Sequence, residues 1–137
     1  MNLNRVVKQY CVYLWVSPIT LAGVAFAIVI RATGGNIVKH GIAWEAYGGS
    51  ATKLLWLLNP WIKIDAITLG HIIIAQDKST ATRLRTHEHA HVRQYERWGL
   101  FFPFAYLTAS IIAAIKGGDA YRDNVFEVEA RRAETHR

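Results

Sequence analysis

The chain has 137 residues, 52% of them apolar, with one cysteine and a formal charge of +6. That length is most economically one domain with room for a membrane anchor, and Cys11 alone excludes an internal disulfide framework and a multi-cysteine zinc site. A basic balance suits nucleic acid or an anionic membrane surface. Here Lys and Arg are scattered without a dense run or a nucleic-acid motif, so the apolar content decides for the membrane.

Residues 1–9 are polar, and Tyr10 to Ile30 carry no charge. Twenty-one such residues make about 31 Å of helix, enough to cross a hydrocarbon core. Tyr10, Tyr13 and Trp15 cluster near one end, where amphipathic rings favour the interface. The run is long for a signal peptide and no small-x-small cleavage site follows it clearly, so it reads as an uncleaved membrane-anchoring helix within residues 1–33. Arg5 and Lys8 nearly balance Arg31 and Lys39. Lys53 and Lys63 then tip the count towards a cytoplasmic domain at residues 34–137, on a bacterial inner membrane.

After Gly34-Gly35, residues 37–47 read as one strand with period-two alternation, turned by Gly48-Gly49. Ser50 would cap a short helix ending before Asn59-Pro60. Ile64 to Ala75 is β-branched and too short to span a bilayer. It predicts a bent strand or a tight pair, with Gly70 at the bend. A polar loop over 76–82 leads into a helix from about Thr82 to Trp98, closed by Gly99.

That helix holds His87-Glu88-His89-Ala90-His91, an H-E-x-x-H pattern. Histidines four apart project from one helical face a turn apart, so both reach one metal ion through neutral ring nitrogens. Glu88 stands at the edge of that face, placed to reach a water as a general base. His89 points away. Gln94 and Trp98 continue the face of His87 and His91.

Leu100 to Ile115 is again uncharged, but its sixteen residues fall short of a span and Pro103 interrupts its start. If a later residue completes the metal site, both ends of this stretch lie on one side of the membrane, which makes it a core or interfacial helix. Lys116-Gly-Gly-Asp119 is a turn, and a last helix begins near Val125. A catalytic zinc keeps three protein ligands. Glu127 and Glu129 are the acidic candidates on that last helix, and His71 is a further one. Against Glu127 stands a capping box, Asn124-x-x-Glu127, in which its carboxylate would serve only the helix end.

The sequence His87-Glu-x-x-His91-x-x-Gln94, followed some 35 residues on by Glu127-x-Glu-Ala130, resembles the gluzincin-type zinc metallopeptidases, including small bacterial membrane-associated members. The Ile67-Thr-Leu-Gly-His-Ile-Ile-Ile74 stretch resembles the strand before their motif helix. The likeness covers residues 64–133. It implies an α+β zincin-like domain with a short sheet, with zinc held by His87, His91 and Glu127 (Glu129 in reserve). It further implies Glu88 as general base and a peptide or protein as substrate. Many relatives carry an aspartate where this chain has Arg131, which leaves open what orients the ligating histidines. For the oxyanion, Tyr95, Tyr106, Tyr121 and His71 are all available. The alternative function is a non-catalytic, membrane-anchored zinc-binding or scaffold protein that keeps the same site.

Overall fold

Helix α1, Leu3–Ala32, is unbroken despite Pro18. The amide hydrogen that proline lacks would have gone to the Leu14 carbonyl, and Ser17 Oγ donates to that oxygen at 2.8 Å instead. The computed structural model describes residues 3–53, 57 and 64–135. Beyond α1 come strands β1 (Gly35–His40), β2 (Ala43–Gly48), β3 (Ala66–Leu69) and β4 (Ile72–Ala75). Helices α2 (Lys78–Trp98), α3 (Phe102–Ile115) and α4 (Val125–Thr135) follow, with a 3-10 turn at Gly99–Phe101 between the first two. The chain is α+β, with an N-terminal apolar helix and a small mixed sheet.

The strands lie in the order β1-β2-β4-β3. β1 pairs antiparallel with β2, β2 parallel with β4, and β4 antiparallel with β3. Period-two alternation sorts the side chains onto two faces. Ala46, Ile72 and Ile74 meet Ala27 and Ile30 of α1 on one face. On the other, Ala43 and Ile73 meet Val92 of α2. Burying a side chain as completely as Ile73, which is 1% exposed, contributes about 1.5–3 kcal/mol.

Residues 37–47 are a hairpin rather than the single strand expected. Gly41 adopts φ 56°, and the two-residue turn at Gly41 and Ile42 reverses the chain without breaking the alternation that suggested one strand. Residues 64–75 form the tight pair, and Gly70 turns it at φ 63°. A Cβ there would overlap Thr20 Oγ1 and come within 2.8 Å of the Thr20 amide, so the glycine also lets α1 lie close against the turn. The helix expected over 50–58 falls largely outside the described residues.

Helix α2 starts earlier than expected, at Lys78. Asp77 caps it, its carboxylate accepting from the Thr80 amide at 2.7 Å, and this bond holds the Asp77 pKa below its ordinary value. Gly99 ends it at φ 55°, its N–H donating to the Tyr95 carbonyl. Below the sheet, Glu45 is 1% exposed and takes a bidentate pair from Arg85 at 2.6 and 3.0 Å, which ties β2 to α2.

Helix α3 buries only Phe102 and Ala113 and exposes Phe104, Leu107, Ile111, Ile112 and Ile115. Of the two expectations for this stretch, a buried core helix is not what forms. By length and composition, the helical stretches Val6–Ala32 and Lys78–Ile115 are both apolar enough to cross a membrane.

Candidate metal centre

His87 and His91 stand one turn apart on the buried face of α2. Their rings meet edge to face, and their Nε2 atoms are 3.1 Å apart. Glu127, in the first turn of α4, closes the group. Its Oε2 lies 3.1 Å from His87 Nε2 and its Oε1 lies 3.3 Å from His91 Nε2. The start of α4 is held there by Phe126, whose ring packs among those of Trp98, Phe102 and Tyr106.

Fully buried Asn124 caps α4, its Oδ1 accepting the Phe126 N–H at 2.9 Å and its Nδ2 donating to the Tyr106 carbonyl and Ser110 Oγ. The return half of the capping box is absent. The Asn124 N–H goes to the Tyr121 carbonyl, and the Glu127 carboxylate goes to the histidines and to Tyr106, whose hydroxyl donates to Oε1 at 2.7 Å.

Hydrogen bonds behind the rings set which nitrogen carries the proton. Gln94 Nε2 donates to the Phe126 carbonyl and to Glu129 Oε2, both at 3.0 Å, so its Oε1 is the end that faces His91 Nδ1 at 2.8 Å. His91 therefore carries its proton on Nδ1. His87 Nδ1 lies 3.1 Å from Glu134 Oε1, another acceptor, and is protonated for the same reason. Both Nε2 lone pairs then face each other and a carboxylate in a buried space, where the Tyr106 hydroxyl donates to the carboxylate.

Three acceptors converging in this way call for a cation. The pKa shifts point the same way. Burial would push His91 down, but Glu127 and Glu88 outweigh it and raise it. Burial would push Glu127 up, but His87, His91 and the Tyr106 hydroxyl around it hold it well below the usual carboxylate range. Glu127 Oε2 is buried without a hydrogen-bond donor.

These residues form a group able to hold a metal ion. Two histidines and one carboxylate are a catalytic zinc donor set, and their ligand atoms lie within 4.8 Å of one another. Adjacent ligands about 2.0–2.1 Å from a tetrahedral centre stand about 3.3 Å apart, close to the 3.1 Å between the two Nε2 atoms.

Glu88 is 5% exposed and accepts from Thr68 Oγ1 at 2.6 Å. Burial raises its pKa, against the pull of His91 and Thr68. With His87, His91 and Glu127 it lines a cavity of about 430 Å³. The walls come from Ala66, Ile67 and Thr68 of β3 and from Phe102, Pro103 and Tyr106 of α3. Tyr95 and Tyr121 also line it.

The other sequence candidates stand outside the donor set. Glu129 turns away to Gln94 and Arg97. His71 is buried against α1, with Nδ1 3.3 Å from Thr20 Oγ1 and Nε2 3.3 Å from Glu96 Oε1, so it is neither ligand nor oxyanion donor. His89 lies near Gly41, on the far side of α2 from the site. Sequence reasoning missed Thr68, Tyr106 and Glu134 in these positions. It also left unanswered what orients the histidines, and Gln94 and Glu134 occupy that role. Only Gln94 carried a signal, its place three residues beyond His91. Compared with known protein families, curated proteins and solved structures, the chain matches none.

Proposed function

We propose that the protein is a membrane-associated zinc metallopeptidase of zincin-like type. The observation that carries this reading is the convergence of two Nε2 lone pairs and a buried carboxylate beside a second, buried carboxylate, all on one cavity. The resemblance of residues 64–133 to gluzincins supports the same assignment.

His87, His91 and Glu127 hold the ion. Bound there, zinc supplies Lewis acidity, lowering the pKa of a water and polarising a carbonyl. Glu88 is the general base. Its raised pKa makes it a better proton acceptor, and Thr68 keeps the carboxylate aimed. It takes a proton from the attacking water as the oxygen–carbon bond forms. It returns that proton to the leaving nitrogen as the peptide C–N bond breaks.

β3 lies at the sheet edge and supplies one cavity wall, so an extended peptide adds to it as a further strand. Tyr106 is engaged with Glu127. Tyr121, more than half exposed on the cavity wall, brings the hydroxyl that donates to the developing oxyanion.

The test is cleavage of a peptide library by the zinc-loaded protein and by its Glu88→Gln variant. Cleavage by the wild type, lost in a variant that retains zinc, is the expected result. Zinc bound by both with no cleavage by either would leave the protein a zinc-binding scaffold and refute the peptidase reading.

A further inference from the structure

Helix α1 has the length of a bilayer span, yet one side of it is covered by the protein along nearly all of that length. Val12 and Val16 pack with Tyr95 and Phe102. Trp15 fills the space that Gly99 leaves, and Thr20 accepts the His71 N–H at the Gly70 turn. Gly23 brings the helix so near β4 that a Cβ there would stand 2.7 Å from the Ile72 Cβ. Ala27 and Ile30 complete the cluster over Ala46 and Ile74. From Val12 to Ile30 this is about 27 Å of continuous packing.

A crossing α1 would carry the sheet into the hydrocarbon with it. β1 and β3 are open edges, and both contact α1. Open edges hold unpaired backbone groups that lipid cannot satisfy. The polar group of Thr20, His71 and Glu96 would lie near the middle of the bilayer as well.

The opposite side of α1 is bare and apolar, exposing Leu14, Leu21, Ile28 and Val29. The bare side of α3 presents Phe104, Leu107, Ile111 and Ile115. The two surfaces meet where the exposed rings of Trp15 and Phe101 lie 5.9 Å apart. Exposed Lys8, Arg31 and Lys116 stand at the helix ends, on a chain of net charge +6.

We infer that α1 lies in the plane of the bilayer instead of crossing it, its outer side joined to that of α3 as one apolar surface seated on an anionic membrane. In most in-plane helices the second side is polar and faces water. In this chain the sheet covers it. Neither metal binding nor peptidase activity enters this inference.

Two measurements test it on the full chain. In a Cys11→Ser background, Lys8→Cys and Ala32→Cys are labelled with a membrane-impermeant maleimide in sealed vesicles of each orientation. Both positions labelling from one and the same side is expected, whereas labelling from opposite sides would establish a crossing helix and overturn the inference. The second is flotation of purified protein with liposomes containing about a third phosphatidylglycerol. Flotation that weakens at least tenfold in Leu21→Glu/Leu107→Glu, with an unchanged circular dichroism spectrum, is expected. Protein that stays at the bottom as a detergent-free dimer would assign the surface to a second copy and refute the lipid assignment.

Discussion

Gln94→Leu isolates the part of the site that holds a ligand without touching the metal. Gln94 is 0% exposed and links His91 Nδ1 at 2.8 Å to the Phe126 carbonyl and Glu129. Leucine nearly matches its volume, so the helices stay packed while the acceptor behind His91 is lost. A buried donor left unpaired costs about 1–3 kcal/mol. Removing such a supporting partner lowers metal affinity about 10–100-fold, which is about 1.4–2.8 kcal/mol. The assay is competition for zinc with a chromophoric chelator, alongside thermal unfolding in a metal chelator. The variant should bind zinc about 10–100 times more weakly. An affinity within twofold of wild type, with the melting temperature lowered, would reduce Gln94 to a packing residue and refute its role in orienting His91.

Three other substitutions probe separate links. Thr68→Val removes the donor to Glu88 at 2.6 Å, a bond to a charged group worth about 1.5–3 kcal/mol. Peptide turnover should fall about 10–100-fold with zinc content unchanged, and undiminished turnover would show that Thr68 does not aim Glu88. Arg85→Met leaves the Glu45 carboxylate buried without its bidentate partner, which should lower unfolding free energy in urea by about 3 kcal/mol. Adding Glu45→Gln should recover much of that loss, and a loss no smaller in the double variant would contradict the pairing. Gly70→Ala forces a side chain onto the Thr20 backbone at positive φ, so thermal stability should drop by about 2–4 kcal/mol. An unchanged melt would mean that α1 does not rest on the β3–β4 turn.

The elements legible from the sequence were those set by local chemistry. Charge-free length marked α1, a glycine after the last periodic residue ended α2, and β-branched residues around Gly70 predicted a strand pair. Histidines four apart define a shared face whatever the rest of the chain does. Glu127 was preferred to Glu129 only through resemblance, because a glutamate three residues past an asparagine reads equally well as half of a capping box. Its distance to the histidines depends on how Phe126 seats α4 on α2 and α3.

The Gly41 turn was invisible because two residues return the chain without disturbing a period of two. Asp77 was lost inside a polar stretch that reads as loop until the Thr80 amide is seen bonded to it. Glu45 is one member of an alternating strand, and only the fold brings Arg85, forty residues on, beneath it. The same holds for Glu134 behind His87. A single sequence carries composition and period, but not which distant side chain arrives to satisfy a buried group.

The most direct measurement is metal content of the purified protein by elemental mass spectrometry, beside His87→Ala and Glu127→Ala variants checked for folding. The account predicts about one zinc per chain in the wild type and loss of it in both variants. A folded wild type that neither carries zinc nor takes it up on titration would contradict the metal centre. Zinc lost with His87 but retained with Glu127→Ala would contradict the three-residue donor set.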